Sequence, residues 1–360
     1  MKSVLTFLSM LIASVLVSAA AFAVGGPTPD LVAMTGGHAD TLLNHSLPMF
    51  GMAGLLINKN TLSNVFINLK TTFNKAFDTA PSDWQQTAML VPSGSSQNDY
   101  SWLSRFPRMR KWIGDKVVKA LAAFKYTIVN DDWEATVEVD RNHIEDDTLG
   151  IYAPQAQEAG HSSAQLPDEI VADLKNAAFT SLCYDGQFFY DTDHPVGDGD
   201  GGTVLFSNKG TAKLSAATVA AAQGSYGNAR TAVMKFTDDE ARPLALVPDT
   251  LEVPPALETT ARVLLENDEL EDGTKNPFKG TAKVLVNPRL TSDTAWFLHV
   301  TSRPVKPFIY QERKKPVFVS QTDMNADDVF NRRMYKFGAE ARAAGGYAFW
   351  QMSYGSDGTV

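Results

Sequence analysis

The sequence predicts an α+β protein in which helices and short strands alternate in mixed order and the sheets are antiparallel. Three observations carry this. Apolar residues recur at 3.6-residue spacing from Leu62 to Phe77 and again from Pro167 to Leu182, the pattern of helices with one buried face. Between them the chain alternates strictly: Trp133, Ala135, Val137 and Val139 share one face, and Glu134, Thr136, Glu138 and Asp140 share the other, as in a half-buried strand. In the last third, short apolar runs bounded by turn residues follow one another. A chain of 360 residues that is 44% hydrophobic and 20% charged is long enough for one large or two medium domains, and general disorder is excluded.

In chain order, Met1–Ala23 has the form of an export signal. Lys2 is its only charge, Val4–Val17 is its apolar core, and Ala21-Phe22-Ala23 places small residues where a signal peptidase reads. The apolar run is short for a transmembrane anchor. Residues 24–51 are rich in Gly, Pro, Thr and Ala without a helical period and read as a linker.

The first helix has Thr61 as N-cap and an apolar face of Leu62, Val65, Phe66, Leu69, Phe73, Ala76 and Phe77; Ala80-Pro81-Ser82-Asp83 ends it. Trp102–Asp147 then reads as a long hairpin, with Gly114–Ile128 as first arm and tip and the strand from Trp133 returning. A hairpin of this length is not stable alone, so it lies on its own domain or on a neighbouring subunit. At its mouth, Arg105, Arg108, Arg110 and Lys111 stand with Trp102 and Trp112. Such a basic-aromatic cluster suits either stacked nucleic acid or a protein interface. The net charge of −9 favours the interface, since non-specific nucleic-acid binding needs a cationic surface.

Pro167 suits a first helical position, with Asp168 and Glu169 at the positive end of the dipole. Ile170, Val171, Leu174, Ala177, Ala178 and Leu182 form the buried face of that helix, and Asp185-Gly186 stops it. Gly197–Gly202 reads as a loop, Ala212–Gln223 as helical, Leu244–Pro248 as a strand, and Ala256–Glu266 as a helix started by Pro254-Pro255. Strands are expected at Val284–Val286, Trp296–Val300, Phe308–Tyr310, Val317–Val319 and Tyr335–Gly338, the last with Tyr347–Trp350 nearby.

Candidate chemistry is sparse. Asp191, Asp193, Asp198 and Asp200 with His194 alternate with glycines, as a calcium loop does, but the distal glutamate and spacing of an EF-hand are missing and one histidine is too few for zinc. A surface turn is the favoured reading, with those aspartates as weak metal candidates. Cys183 is the single cysteine, so an intrachain disulfide is impossible. Paired with His194 it would make a nucleophile and base, but a lone cysteine on an apolar helix reads first as a small buried hydrophobe. A Gly-x-Ser-x-Gly elbow is missing, and no Gly-Lys-Ser/Thr follows Gly197–Gly202. No catalytic residue and no cofactor is expected.

The wording of Trp102–Asp147, of Leu182-Cys183-Tyr184-Asp185-Gly186-Gln187-Phe188-Phe189-Tyr190-Asp191-Thr192-Asp193-His194-Pro195-Val196, of Val253–Ala261 and of Asn276–Gly280 resembles, in order, the major head subunit of Mu-like phages, the gpT family. The resemblance spans most of Met52–Ser356 and leaves the first 51 residues outside. It implies the HK97-like shell fold of tailed phages: an amino-terminal arm over 52–100, an extended hairpin loop over 101–148, and over 149–360 a peripheral domain with a long spine helix interleaved with an axial domain. It implies a non-catalytic subunit that assembles with itself into hexamers and pentamers of an icosahedral shell. The implied partners are a scaffold, a portal and a head protease, and the DNA is enclosed without sequence-specific binding. Trp102, Arg105, Arg108, Arg110, Lys111, Trp112, Trp133, Val137 and Val139 are then expected at inter-subunit contacts. The implied location is the virion, after assembly in the host cytoplasm. Met52-Ala53-Gly54-Leu55-Leu56 reads as the natural start of such a subunit, so residues 1–51 are best explained by an upstream start, next by a leader removed in maturation, and last by export. The competing reading is an exported periplasmic hydrolase or ligand-binding protein that uses the Asp191–Asp200 loop.

Overall fold

The computed structural model describes residues 59–104, 126–140, 142, 152–323 and 325–360. The signal-like segment, its linker, and Arg105, Arg108, Arg110, Lys111 and Trp112 lie outside the described residues.

Helix α1, Lys59–Thr79, buries Phe66, Leu69, Phe73 and Ala76, the stripe that its spacing predicts. Strands β1 (Ala88–Pro92), β2 (Gln97–Asp99), β3 (Thr127–Val129) and β4 (Asp131–Asp140) follow, then helix α2, Tyr152–Ala177. α2 begins well ahead of the expected start and carries Pro167 inside it, not at its first position. The cause is packing. Ala156, Gly160 and Ser163 form a buried stripe of small residues, and Gly160 comes so near α1 that a Cβ there would collide with the Phe73 carbonyl oxygen. Periodicity of large side chains does not register such a seam, and the contact outweighs the one hydrogen bond that a proline removes. The helix also stops sooner than expected, so Leu182 leaves the apolar face and is 58% exposed.

The next strands are β5 (His194–Gly197), β6 (Thr203–Phe206) and β7 (Lys209–Gly210). Only the end of the alanine-rich stretch is helical: α3, Val219–Ala222, starts at Thr218, whose hydroxyl accepts from the Ala221 amide at 3.1 Å. A π-helical turn, Gln223–Gly227, carries it into α4, Asn228–Met234. Leu244–Pro248 is not a strand. Leu244 and Leu246 are buried, but Ala245 sits at φ +51° and breaks the extended run. The ladder falls instead on β8, Thr250–Val253. Helix α5 (Glu258–Glu266), β9 (Lys283–Val286), β10 (Trp296–His299), β11 (Phe308–Gln321), α6 (Asp327–Arg332), β12 (Met334–Tyr347) and β13 (Ser353–Ser356) complete the order.

Two sheets organise the chain. One has the order β1-β11-β12-β4 and packs against both long helices. Phe308–Tyr310 and Val317–Val319, read separately from sequence, fuse into β11, with register shifts around Lys314 and Pro316. Tyr335–Gly338 and Tyr347 likewise belong to the single strand β12. The other sheet has the order β7-β13-β10-β8-β9. Both are mixed, not purely antiparallel as expected: β1 with β11, β8 with β9, and β7 with β13 run parallel.

The alternating strand is β4, and its partner is β12. Ile128, expected on the first arm of the hairpin, lies in β3, which pairs with β2. Val139 is 2% exposed in a cluster with Phe66, Leu69, Ala156, Val329, Tyr335 and Phe337, and Val137 packs against it. The cluster that includes Phe66 and Leu69 of α1 therefore takes the Val137–Val139 end of this face, while Ala135 stays exposed and Trp133 half-buried.

Candidate functional site

The acidic loop resolves into ordinary turn chemistry. Asp191 accepts from the amides of Thr192 at 2.7 Å and Phe188 at 3.3 Å. Asp198 accepts from the amides of Asp200 at 2.9 Å and Gly202 at 2.8 Å, closing the β5–β6 hairpin. Among the described residues, the group of metal-capable side chains is another one: Cys183, Asp185 and His194, with ligand atoms within 4.8 Å of one another. They already satisfy each other. The Cys183 thiol donates to Asp185 Oδ1 at 2.9 Å, and His194 Nδ1 meets Asp185 Oδ2 at 2.7 Å. His194 Nε2 meets Asn208 Oδ1 at 3.1 Å, while the Asn208 amide nitrogen donates to the Phe189 carbonyl at 2.8 Å. Both ring nitrogens of His194 are thus engaged by side chains of the same subunit. The ring is fully buried and stacks on Trp350 at 4.1 Å. Burial and the Asp185 carboxylate push the Cys183 thiol far up, the reverse of an activated nucleophile. Burial pushes the Asp185 carboxyl up as well, but hydrogen bonds from His194 and Cys183 outweigh it and hold it below the usual range.

A second buried network joins α2 to the five-stranded sheet. Lys175 Nζ donates to Glu252 Oε1 at 2.8 Å, and Asn287 donates to the same oxygen at 2.6 Å. His299 Nε2 meets Glu252 Oε2 at 3.0 Å, His299 Nδ1 meets Ser353 Oγ at 2.8 Å, and Tyr190 reaches that hydroxyl at 2.6 Å. Burial opposes charge on Glu252, yet Lys175 and His299 hold its carboxyl down at about 2. Burial lowers His299 against the pull of Glu252, so its neutral ring donates to the carboxylate and accepts from Ser353. Ser353, His299 and Glu252 stand in the order of a hydrolytic triad, but each is 0–1% exposed, out of reach of any substrate. The network is a tie between layers. Sequence reasoning missed it, although one signal was present: Lys175 sits on the apolar face of α2, and Glu252 and His299 interrupt the apolar runs Leu251-Glu252-Val253 and Leu298-His299-Val300.

The outer surface is where an assembling subunit would act. Trp102 is 37% exposed and packs edge-on against Phe349. β4 is an edge strand, and its indole Trp133 donates to the Ala343 carbonyl at 3.0 Å. Beside it lies a groove floored by Trp133, Leu166 and Pro316 and rimmed by Glu134, Glu169 and Glu340. No helix among the described residues is long and apolar enough to cross a membrane.

This architecture has solved counterparts. A subunit of the bacteriophage JBD30 procapsid is similar with a TM-score of 0.54 and 33% identity, over 83% of this chain and 76% of that one. A subunit of the bacteriophage JBD30 capsid is similar with a TM-score of 0.51 and 28% identity, over 66% of this chain and all of that one. The fold is therefore that of a phage capsid subunit, structural and non-enzymatic. Two curated proteins are similar over most of their length. One is the Mu-like prophage FluMu major head subunit of Haemophilus influenzae, 29% identical over 84% of this chain and 75% of that protein. The other is the major capsid protein of Escherichia phage Mu, 30% identical over 85% of this chain and 76% of that protein. The family described as Mu-like prophage major head subunit gpT matches residues 62–219, 212–290 and 289–360, and the chain belongs to it.

Proposed function

We propose that this major head subunit closes with copies of itself into the hexamers and pentamers of an icosahedral shell. The shell encloses DNA without reading its sequence, and it is assembled in the host cytoplasm with a scaffold, a portal and a head protease. The observation that carries this reading is the match to gpT head subunits from residue 62 to the last residue. The acidic balance of the chain supports a container that does not bind its contents tightly. Residues 52–100 serve as the arm, 101–148 as the extended loop, and 149–360 as the peripheral and axial parts. The exposed Trp102 supports the loop assignment. Contacts between subunits run through Trp102, Arg105, Arg108, Arg110, Lys111 and Trp112. Trp133, Val137 and Val139 lie at the base of the loop, where Val139 is buried within the subunit and Trp133 and Val137 are half-buried and keep a surface for a neighbour. Each contact can be weak, because a closed shell sums many of them.

The test is expression with the scaffold and protease of the same phage, followed by electron microscopy and mass photometry. Shells are expected, together with an Arg108→Glu variant that melts like the parent but forms none. A monodisperse monomer under all conditions would sink the proposal.

A further inference from the structure

Two surface features stand out among the described residues. The first is the turn between β11 and β12. Its short helix α6 is fixed from within: Val329 is buried, Lys336 bonds Asp328 at 2.7 Å, and Arg333 closes the helix at φ +57°. On this rigid frame Phe330 is 80% exposed, and the Arg332 side chain is 73% exposed. A large aromatic held rigidly in water beside an arginine has the composition and the low ordering cost of an interface anchor.

The second is the groove of about 120 Å³ beside β4. Its floor is apolar and its rim is acidic. Glu134 and Glu340 stand directly opposite one another on β4 and β12, a cross-strand pairing of like charges that a further cation would relieve. Among the described residues, Lys314 pairs with Glu340 at 3.2 Å in solvent.

Tip and groove complement each other, aromatic and arginine against an apolar floor with an acidic rim, yet they cannot meet within one subunit. The strand from Met334 to Glu340 holds them roughly 20 Å apart at about 3.3 Å per residue. We propose that the Phe330 and Arg332 tip of one subunit seats in the Trp133 groove of a second copy. The contact joins two different surfaces, so it is heterologous and propagates until a ring or shell closes. The proposal rests on the chain assembling with itself.

The test uses the full chain with its assembly partners, under conditions where the unmodified protein forms shells. Phe330→Cys combined with Ala135→Cys at the groove lining is treated with a short bismaleimide; the native Cys183 is buried and does not compete. Covalent ladders of subunits that require both cysteines are expected. Separately, Arg332→Glu should lower shell yield at least tenfold without changing the melting curve, and adding Glu134→Arg should restore it. Shells without ladders would overturn the proposal while leaving the capsid reading intact. So would failure of the charge swap to restore assembly, or crosslinking of the groove cysteine to one placed at Arg108 in preference to Phe330.

Discussion

Lys175→Met tests the buried tie between α2 and the five-stranded sheet. The substitution keeps the length of the side chain and removes the ammonium that faces Glu252, whose carboxylate is 0% exposed. Removing one partner of a buried pair costs about 3–5 kcal/mol. Glu252 retains Asn287 at 2.6 Å and His299 at 3.0 Å, so the low end applies, about 3 kcal/mol. For a chain of this size that lowers the melting temperature by about 6 °C, at roughly 2 °C per kcal/mol. The assay is denaturant and thermal unfolding of the unassembled subunit. The double variant Lys175→Met with Glu252→Gln should recover at least half of the loss, because no stranded charge remains. The pH dependence has a defined sign. The Glu252 carboxyl lies lower in the folded state, at about 2 against an ordinary 4.5, so its contribution is present above pH 4.5 and is lost as pH falls towards 2. That slope should flatten in Lys175→Met. A single variant within about 1 kcal/mol of the parent, with an unchanged acid slope, would refute the reasoning.

Other expectations follow from the same geometry. His299 is held below its ordinary 6.5 by burial, so its contribution is full above pH 6.5 and is lost as pH falls below it; His299→Gln should flatten that part of the profile in acid titration followed by fluorescence. Gly160→Ala forces a Cβ against the Phe73 carbonyl oxygen and should cost about 1–3 kcal/mol, measured by denaturant unfolding, with the protection of α1 amides from hydrogen exchange lost first. Cys183 should react with thiol reagents on the order of a hundredfold more slowly in the folded subunit than in urea, since burial and Asp185 both oppose its thiolate; equal rates would contradict the packing described.

Much of the fold was legible wherever large apolar side chains keep a period. The α1 face, the β4 alternation and the runs at Trp296 and Phe308 all appear as read. The errors lie where neighbours in space overrule a local pattern. α2 extends past Pro167 because small residues let two helices touch, and small residues leave little trace in a hydrophobic pattern. Leu244–Pro248 has the composition of a strand but lost the ladder to Thr250–Val253, a choice made by the partner strand. The Asp191–Asp200 run, read first as a surface turn, has Asp191 and Asp198 capping backbone amides.

By itself the sequence determined which segments carry a buried face and that ordered motifs match a gpT head subunit. These properties reside in local spacing and in the identity of residues, which one chain displays directly. Only the tertiary structure decided which partner covers each face. It set Val139 under α1, joined Lys175 to Glu252 and His299 across layers, and left Phe330 in water roughly 20 Å from the groove whose chemistry matches it. Such pairings depend on residues far apart in the chain that meet only when sheets and helices close, and the free energy that selects them belongs to the contact and not to either segment.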